Sequence, residues 1–326
     1  MYDVRLCDDP NEWDELVLGS DGHPLQLWGW GEVKASHGWK ARRLVVSHQG
    51  RVVGAAQVLI RSLPWPLKAL AYVPRGPVVA NPDDRLELLD AIAQCIKRDV
   101  RAAVITVEPD WLEAAGLRGW RQSSNTILIP RTLILDLSQS EDDLLAKMTK
   151  KTRQYIRKSA KSDIEVRQVE TNEDIAKCLA IYEETAKRAD FAIHDETYYR
   201  DVASMLGEHS LITAAYKDGE PVAFLWLAIS RSVAFELYGC MNDIGQAERA
   251  NFTLKWETIR LAKRWGVERY DMNGLLNDGV SKFKQGFANH EDMLVGTYDR
   301  PLSPLYFVWD RGLPIAKRLI RWLKRR

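Results

Sequence analysis

The chain has 326 residues, 46% of them apolar and 28% charged, and its 46 Lys and Arg balance 45 Asp and Glu to leave a net charge of +1. That length accommodates two domains of ordinary size, each with its own core. The composition excludes a disordered chain, and no apolar run approaches the roughly 20 residues that a membrane span needs.

The first residues are polar and Asp8-Asp9-Pro10-Asn11-Glu12 follows closely, so no secretory leader is expected and the cytoplasm is the expected compartment. A strand from Asp3 to Cys7 precedes a helix that begins near Pro10. Leu25 to Lys34, with Trp28 and Trp30 two apart, leads into a short helix that stops near Gly38. Arg43–His48 and Arg51–Ile60 flank Gln49-Gly50 as a hairpin. A strand over Leu70–Val73, a helix from about Asp83 to Lys97 and a strand over Ala103–Val107 complete the first half. Cys7, Cys95, Cys178 and Cys240 lack C-x-x-C spacing. They indicate neither a disulfide framework nor a zinc site and are expected to be buried apolar residues, with no metal and no cofactor required.

Leu144 to Asp163 is polar, basic and free of glycine and proline, which predicts one helix. Its cations, Lys147, Lys150, Lys151, Arg153, Arg157, Lys158 and Lys161, form either a solvated face or a footprint for a polyanion. A second helix follows from Asp174 to Asp190, and Phe191–Tyr199 forms a loop entering a third. Leu211–Tyr216 and Pro221–Leu227 then flank Asp218-Gly219, repeating the earlier hairpin. A strand over Ala234–Tyr238, a helix from Asn251 to Trp265 and a strand over Glu268–Met272 repeat the rest. In that helix Leu254, Thr258, Leu261 and Trp265 share one face of a 3.6-residue period. Internal duplication is therefore expected. The fold class is α/β (α+β), each half having a mixed central sheet flanked by helices.

Phe283-Lys284-Gln285-Gly286-Phe287 reads as a loop with one cation between two rings and a glycine free to bend or to approach a ligand. It is the first choice for a reaction centre. The order hairpin, strand, helix, strand is also that of GNAT-type N-acetyltransferases. Those place a glycine-rich basic turn before the helix to cradle coenzyme A phosphates. Here Gly245 to Asn251 offers one glycine, one arginine and an acid, so an acetyl coenzyme A donor is not expected.

Lys151-Thr152-Arg153-Gln154-Tyr155-Ile156-Arg157-Lys158, the Asp218-Gly219 hairpin, Leu237-Tyr238-Gly239, Leu254 to Arg260, Tyr270 to Gly274 and Phe283 to Phe287 together resemble the FemABX family of aminoacyl-tRNA-dependent peptidyltransferases, which build the interpeptide bridge of peptidoglycan. The resemblance spans Lys34 to about Arg300 and implies two tandem GNAT-like domains. Their expected bounds are 1–137, completed by 300–326, and 138–299, without the coiled-coil arm of some members. It implies a monomer with aminoacyl-tRNA as donor and a peptidoglycan precursor, soluble or lipid-linked, as acceptor. Carried over by position, Lys34 resembles the lysine that contacts the nucleotide or diphosphate of the precursor, and Tyr198 and Tyr238 resemble tyrosines of that pocket. His194 stands where the family often has an arginine, and a histidine holds less charge at pH 7 and forms no bidentate clamp. Phe283 and Lys284 resemble the pair that meets the tRNA acceptor end, while Lys150, Lys151, Arg153 and Arg157 are expected along the tRNA backbone. Glu108, before Pro109, falls where members tend to carry an acid.

The chemistry suits these residue types. An amine attacking an aminoacyl ester passes through an oxyanion that an ammonium such as Lys284 can stabilise. Phe283 can stack on the terminal adenine, and the amine proton can go to Glu108, to a ribose hydroxyl or to a phosphate of the substrates. The plainer readings are Phe283 and Phe287 as core anchors, Lys284 as a surface cation and Glu108 as a strand-end solubiliser. Two other functional classes compete: a small-molecule N-acyltransferase using acyl coenzyme A, and a non-catalytic tRNA- or precursor-binding module. After Pro314, Ile315, Leu319 and Trp322 form one apolar stripe if helical, amid Lys317, Arg318, Arg321, Lys324, Arg325 and Arg326. Two readings stand side by side: the stripe packs back on the N-terminal lobe with its cations solvated, or it makes peripheral contact with the inner membrane face.

Overall fold

The structure is a computed structural model that describes residues 2–113, 117–123, 125–189, 191–276, 278–308 and 310–312. The stripe of Ile315, Leu319 and Trp322 and the cations around it lie outside the described residues. Two compact units divide the chain, one formed by Met1–Pro130 with the segment that begins at Met293, the other by Arg131–Asp292.

The first unit is built on a sheet that runs Tyr2–Leu6, Lys40–His48, Arg51–Ser62, Ala69–Arg75, Val104–Pro109, Tyr298–Pro301 and Arg121–Gln122. Neighbours are antiparallel except Ala69–Arg75 and Val104–Pro109, a parallel pair whose crossover is the helix Arg85–Asp99. That helix buries Leu88, Leu89, Ile92 and Ile96 against Val58, Ala71 and Ile105 of the sheet. The second sheet repeats the order as Glu165–Gln168, Ser210–Lys217, Glu220–Ile229, Val233–Met241, Arg269–Asp271 and Ile134–Asp136. Its parallel pair is Val233–Met241 with Arg269–Asp271, and its crossover is the helix Ala250–Arg264. Both hairpins turn on two residues of positive φ, Gln49 at 50° with Gly50 at 77° and Asp218 at 53° with Gly219 at 83°. The duplication expected from the sequence is thus visible strand by strand.

Each sheet is completed by a strand from outside its own repeat. Tyr298–Pro301, which follows the second repeat, pairs with Val104–Pro109, and Ile134–Asp136, which follows the first, pairs with Arg269–Asp271. This puts Ile134–Asp136 in the second unit rather than in a first domain ending at 137, and starts the returning segment at Met293 rather than at 300.

Four local expectations are corrected. The single helix over Leu144–Asp163 is two, Glu141–Lys147 and Lys150–Ser159, each opened by its own side-chain cap, Ser140 and Thr149. The strand read as ending at Tyr238 continues to Met241. The turn read at Gly245–Asn251 is largely a short helix, Asp243–Glu248, capped by Asn242. Trp265 lies just past its helix and is 43% exposed, so the buried face is carried instead by Ala250, Leu254, Thr258, Ile259 and Ala262.

Candidate active site

The two parallel pairs differ, and that difference creates the site. In the first unit Ala69–Arg75 and Val104–Pro109 stay in register over six pairs, from Leu70 with Val104 to Arg75 with Pro109. In the second the pairing stops after three, at Phe235 with Asp271. Just beyond, a bulge leaves Leu237 unpaired between Glu236, opposite Leu227, and Tyr238, opposite Trp226. The partner strand leaves the sheet at Asn273, whose φ is 55°. A cavity of about 360 Å³ opens in the gap, lined by Glu236–Met241, by Leu254 and Lys255 of the crossover helix and by Phe283 and Lys284.

Phe283–Phe287 is no loop. Phe283, Lys284 and Gln285 form the last turn of a helix, Gly279–Gln285, whose first turn is capped by Asp278 through the Ser281 amide. Phe283 meets Phe252 and Phe287 edge-on with ring centroids 5.0 and 5.2 Å apart, so it is packed and lines the cavity at once. The Lys284 ammonium donates to the carbonyl oxygens of Met272 (2.5 Å) and Asn273 (2.8 Å) and lies 3.9 Å from Glu236 Oε2. Its side chain is only 13% exposed, which removes the reading of a free surface cation.

Two charged residues not singled out from the sequence stand beside it. Glu236 Oε1 accepts from Lys255 Nζ at 2.5 Å and from the Tyr270 hydroxyl at 2.9 Å, and both members of the ion pair are buried. Burial lowers the Lys255 pKa, Glu236 opposes the fall and the Lys284 charge adds to it. Buried charges are uncommon unless paired, so a Glu inside the apolar strand Ala234–Tyr238 and a Lys beside Leu254 were the available signals.

Tyr238 also lines the cavity and donates to the Tyr198 hydroxyl at 3.4 Å. Tyr198 is buried and its phenol is pushed up to about 12 by burial, so it acts as a neutral hydrogen-bonding group. His194 is exposed and stacks on the Tyr198 ring at 3.8 Å. Cys240 is half-buried rather than buried, and burial raises its thiol to about 12, which suits no nucleophile.

Among the basic residues, Lys150, Lys151 and Arg157 are exposed on the helix Lys150–Ser159. Arg153 is not part of that face. Its guanidinium donates to the carbonyl oxygens of Leu145, Ala146 and Met148, closing the C-terminus of the preceding helix. In the first unit Lys34 lies over the Trp30 ring at 4.4 Å, and burial lowers its pKa to about 8. Glu108 is 1% exposed and accepts four hydrogen bonds, from Tyr72, the Ile127 and Leu128 amides and Thr297. Its lone pairs are spent on holding 127–128 and Thr297 to the sheet, so the expectation of a proton acceptor is corrected to an internal anchor.

A model described as the FemAB family matches residues 119–220 and 215–312. Over 301 residues, covering 86% of this chain, it is 27% identical to a lipid II:glycine glycyltransferase of Staphylococcus aureus strain MRSA252, and it is 29% identical over 291 residues to that of strain USA300. The aligned parts are 66% and 64% of those relatives, so the chain spans just under two thirds of their length. The solved structure of FemX is similar, with a TM-score of 0.83 at 20% identity over 94% of this chain and 99% of that one. A tandem GNAT protein of the clavulanic acid pathway follows at 0.58 and 13% identity, covering 93% and 99%. Both share the fold of two GNAT-like units. No helix among the described residues is long and apolar enough to cross a membrane.

Proposed function

This chain belongs to the FemAB family, and we propose that it is an aminoacyltransferase that moves an amino acid from aminoacyl-tRNA to the stem-peptide amine of a peptidoglycan precursor. One observation carries the reading. A lysine ammonium is fixed by two carbonyl oxygens in a cavity otherwise lined largely by apolar and aromatic groups. A preorganised cation in such surroundings stabilises a developing oxyanion far better than a solvated one. Phe283 offers a ring to the terminal adenine, and the exposed Lys150, Lys151 and Arg157 attract the tRNA backbone. We assign precursor contacts to Tyr238, Tyr198 and His194, and Lys34 is a candidate contact on its position in the family pattern alone. The lipid II glycyltransferases named above favour the lipid-linked acceptor.

An acyl coenzyme A donor is less well served. The segment where a phosphate-cradling turn would stand is the helix Asp243–Glu248, with acids at both ends. The deciding experiment supplies labelled aminoacyl-tRNA with lipid-linked or soluble precursor and, separately, labelled acetyl coenzyme A. Label on the precursor from tRNA supports the proposal. Affinity without turnover makes the protein a binding module, and label from coenzyme A alone makes it an ordinary N-acyltransferase.

A further inference from the structure

The aminolysis just proposed needs a group to take the proton of the acceptor ammonium, and the Glu108 expected for it is saturated. Among the described residues that line the cavity, Glu236 is the one acid. Its two oxygens are used differently. Oε1 is held by Lys255 and Tyr270, which fixes the plane of the carboxylate. Oε2 receives no hydrogen bond from the described residues and lies 3.9 Å from Lys284 Nζ, too far for one. Lys284 in turn spends two of its three donors on carbonyls. The cavity therefore presents, side by side, an open carboxylate oxygen and an ammonium with a donor to spare.

We propose that Glu236 is the general base of the transfer, its Oε2 taking a proton from the attacking amine while Lys284 receives the oxyanion. This rests on the aminoacyl-transfer reading above. The groups facing Glu236 are Lys255 from the crossover helix, Tyr270 from the adjacent strand and Lys284 from the helix Gly279–Gln285. The acceptor ammonium gives one proton to Glu236 and becomes a neutral amine. The amine nitrogen forms a bond to the ester carbon, whose oxygen becomes the oxyanion. The bond from carbon to the ribose oxygen then breaks, and the second nitrogen proton passes to that oxygen, leaving an amide and a free ribose hydroxyl. Glu236 returns its proton to solvent after product leaves. With both lysines and Glu236 charged the cluster carries a net positive charge, which favours the oxyanion and disfavours the protonated amine.

The test compares wild type with Glu236→Gln in transfer from aminoacyl-tRNA to lipid-linked precursor between pH 7 and 9. At pH 7 the variant is expected to be slower by about 10²–10⁴-fold in kcat with little change in KM. Its rate is expected to climb about tenfold per pH unit as solvent deprotonates the amine, while wild type changes little. Because Gln strands the buried Lys255 ammonium, the double variant Glu236→Gln/Lys255→Met is measured alongside, and a shared thermal midpoint with wild type certifies its fold. A variant within threefold of wild type at pH 7, or a loss of equal size at every pH, overturns the proposal. A wild type that transfers nothing from any aminoacyl-tRNA overturns the aminoacyl-transfer reading instead.

Discussion

A Cβ built on Gly286 would stand 2.3 Å from the Thr152 hydroxyl oxygen, so the end of the helix bearing Lys284 and the start of the basic helix meet in contact that only a glycine allows. The Gly286 carbonyl also accepts from the Thr149 amide at 2.9 Å. Gly286 has helical φ, so what it supplies is clearance from Thr152, not an unusual backbone. Gly286→Ala is expected to destabilise by about 1–3 kcal/mol, as overpacking does, and to shift Phe283 and Lys284. Thr152→Ala in the same chain removes the clashing oxygen and is expected to restore most of the loss. Denaturant titration of the two single variants and the double gives the coupling, and additive losses would contradict it.

Lys284→Met is expected to lower turnover by about 10²-fold or more while leaving precursor affinity nearly unchanged, because a cation that serves the oxyanion acts mainly in the transition state. Steady-state kinetics with both substrates varied reads this directly. A raised KM at constant kcat would move Lys284 from the chemistry to ground-state binding.

The basic helix separates into two roles that one substitution set can tell apart. Replacing Lys150, Lys151 and Arg157 with glutamine is expected to weaken tRNA binding and to flatten its dependence on salt, since fewer counterions are released. Arg153→Gln is expected to leave the salt slope unchanged and to lower the thermal midpoint, because three carbonyl oxygens at the end of Glu141–Lys147 lose their donor. Binding measured at several salt concentrations, beside thermal denaturation, checks both.

Much of the architecture was legible because it is local. Gln49-Gly50 and Asp218-Gly219 announce their hairpins through turn chemistry, and Leu254 and Thr258 announce a buried helix face through spacing. What the sequence hid is long-range. That Ile134–Asp136 joins Arg269–Asp271, and Tyr298–Pro301 joins Val104–Pro109, depends on partners far along the chain with no local signature. The site divides the same way. Lys284, Phe283 and Tyr238, candidates from the sequence, line one cavity. Glu236 and Lys255 are hard to read from sequence because a strand and a helix conceal which charges turn inward until they pack. The surroundings of Glu108 are equally hidden, since the donors that saturate it come from residues as distant as Thr297.

Lys34 supplies a test that depends on pH. Burial lowers its pKa from the ordinary 10.5 to about 8, so the folded state releases this proton earlier than the unfolded chain does. Between about pH 8 and 10.5 the unfolded state therefore holds more protons, and stability gains from Lys34 as pH rises through that window. Below it the cost of burying the cation is fully present. Lys34→Met is thus expected to be more stable than wild type at pH 7 by about 1–3 kcal/mol, with the gap closing towards pH 10.5. Other groups titrate in the same range, so the quantity to follow is the difference between the two proteins in denaturant unfolding at each pH. If Lys34 also contacts a diphosphate, the anion raises its pKa again and binding at pH 9 takes up a proton. Calorimetry of the soluble nucleotide precursor in two buffers of different ionisation enthalpy reads that proton. Its absence in wild type, or its survival in Lys34→Met, would remove Lys34 from the precursor contact while leaving the stability argument intact.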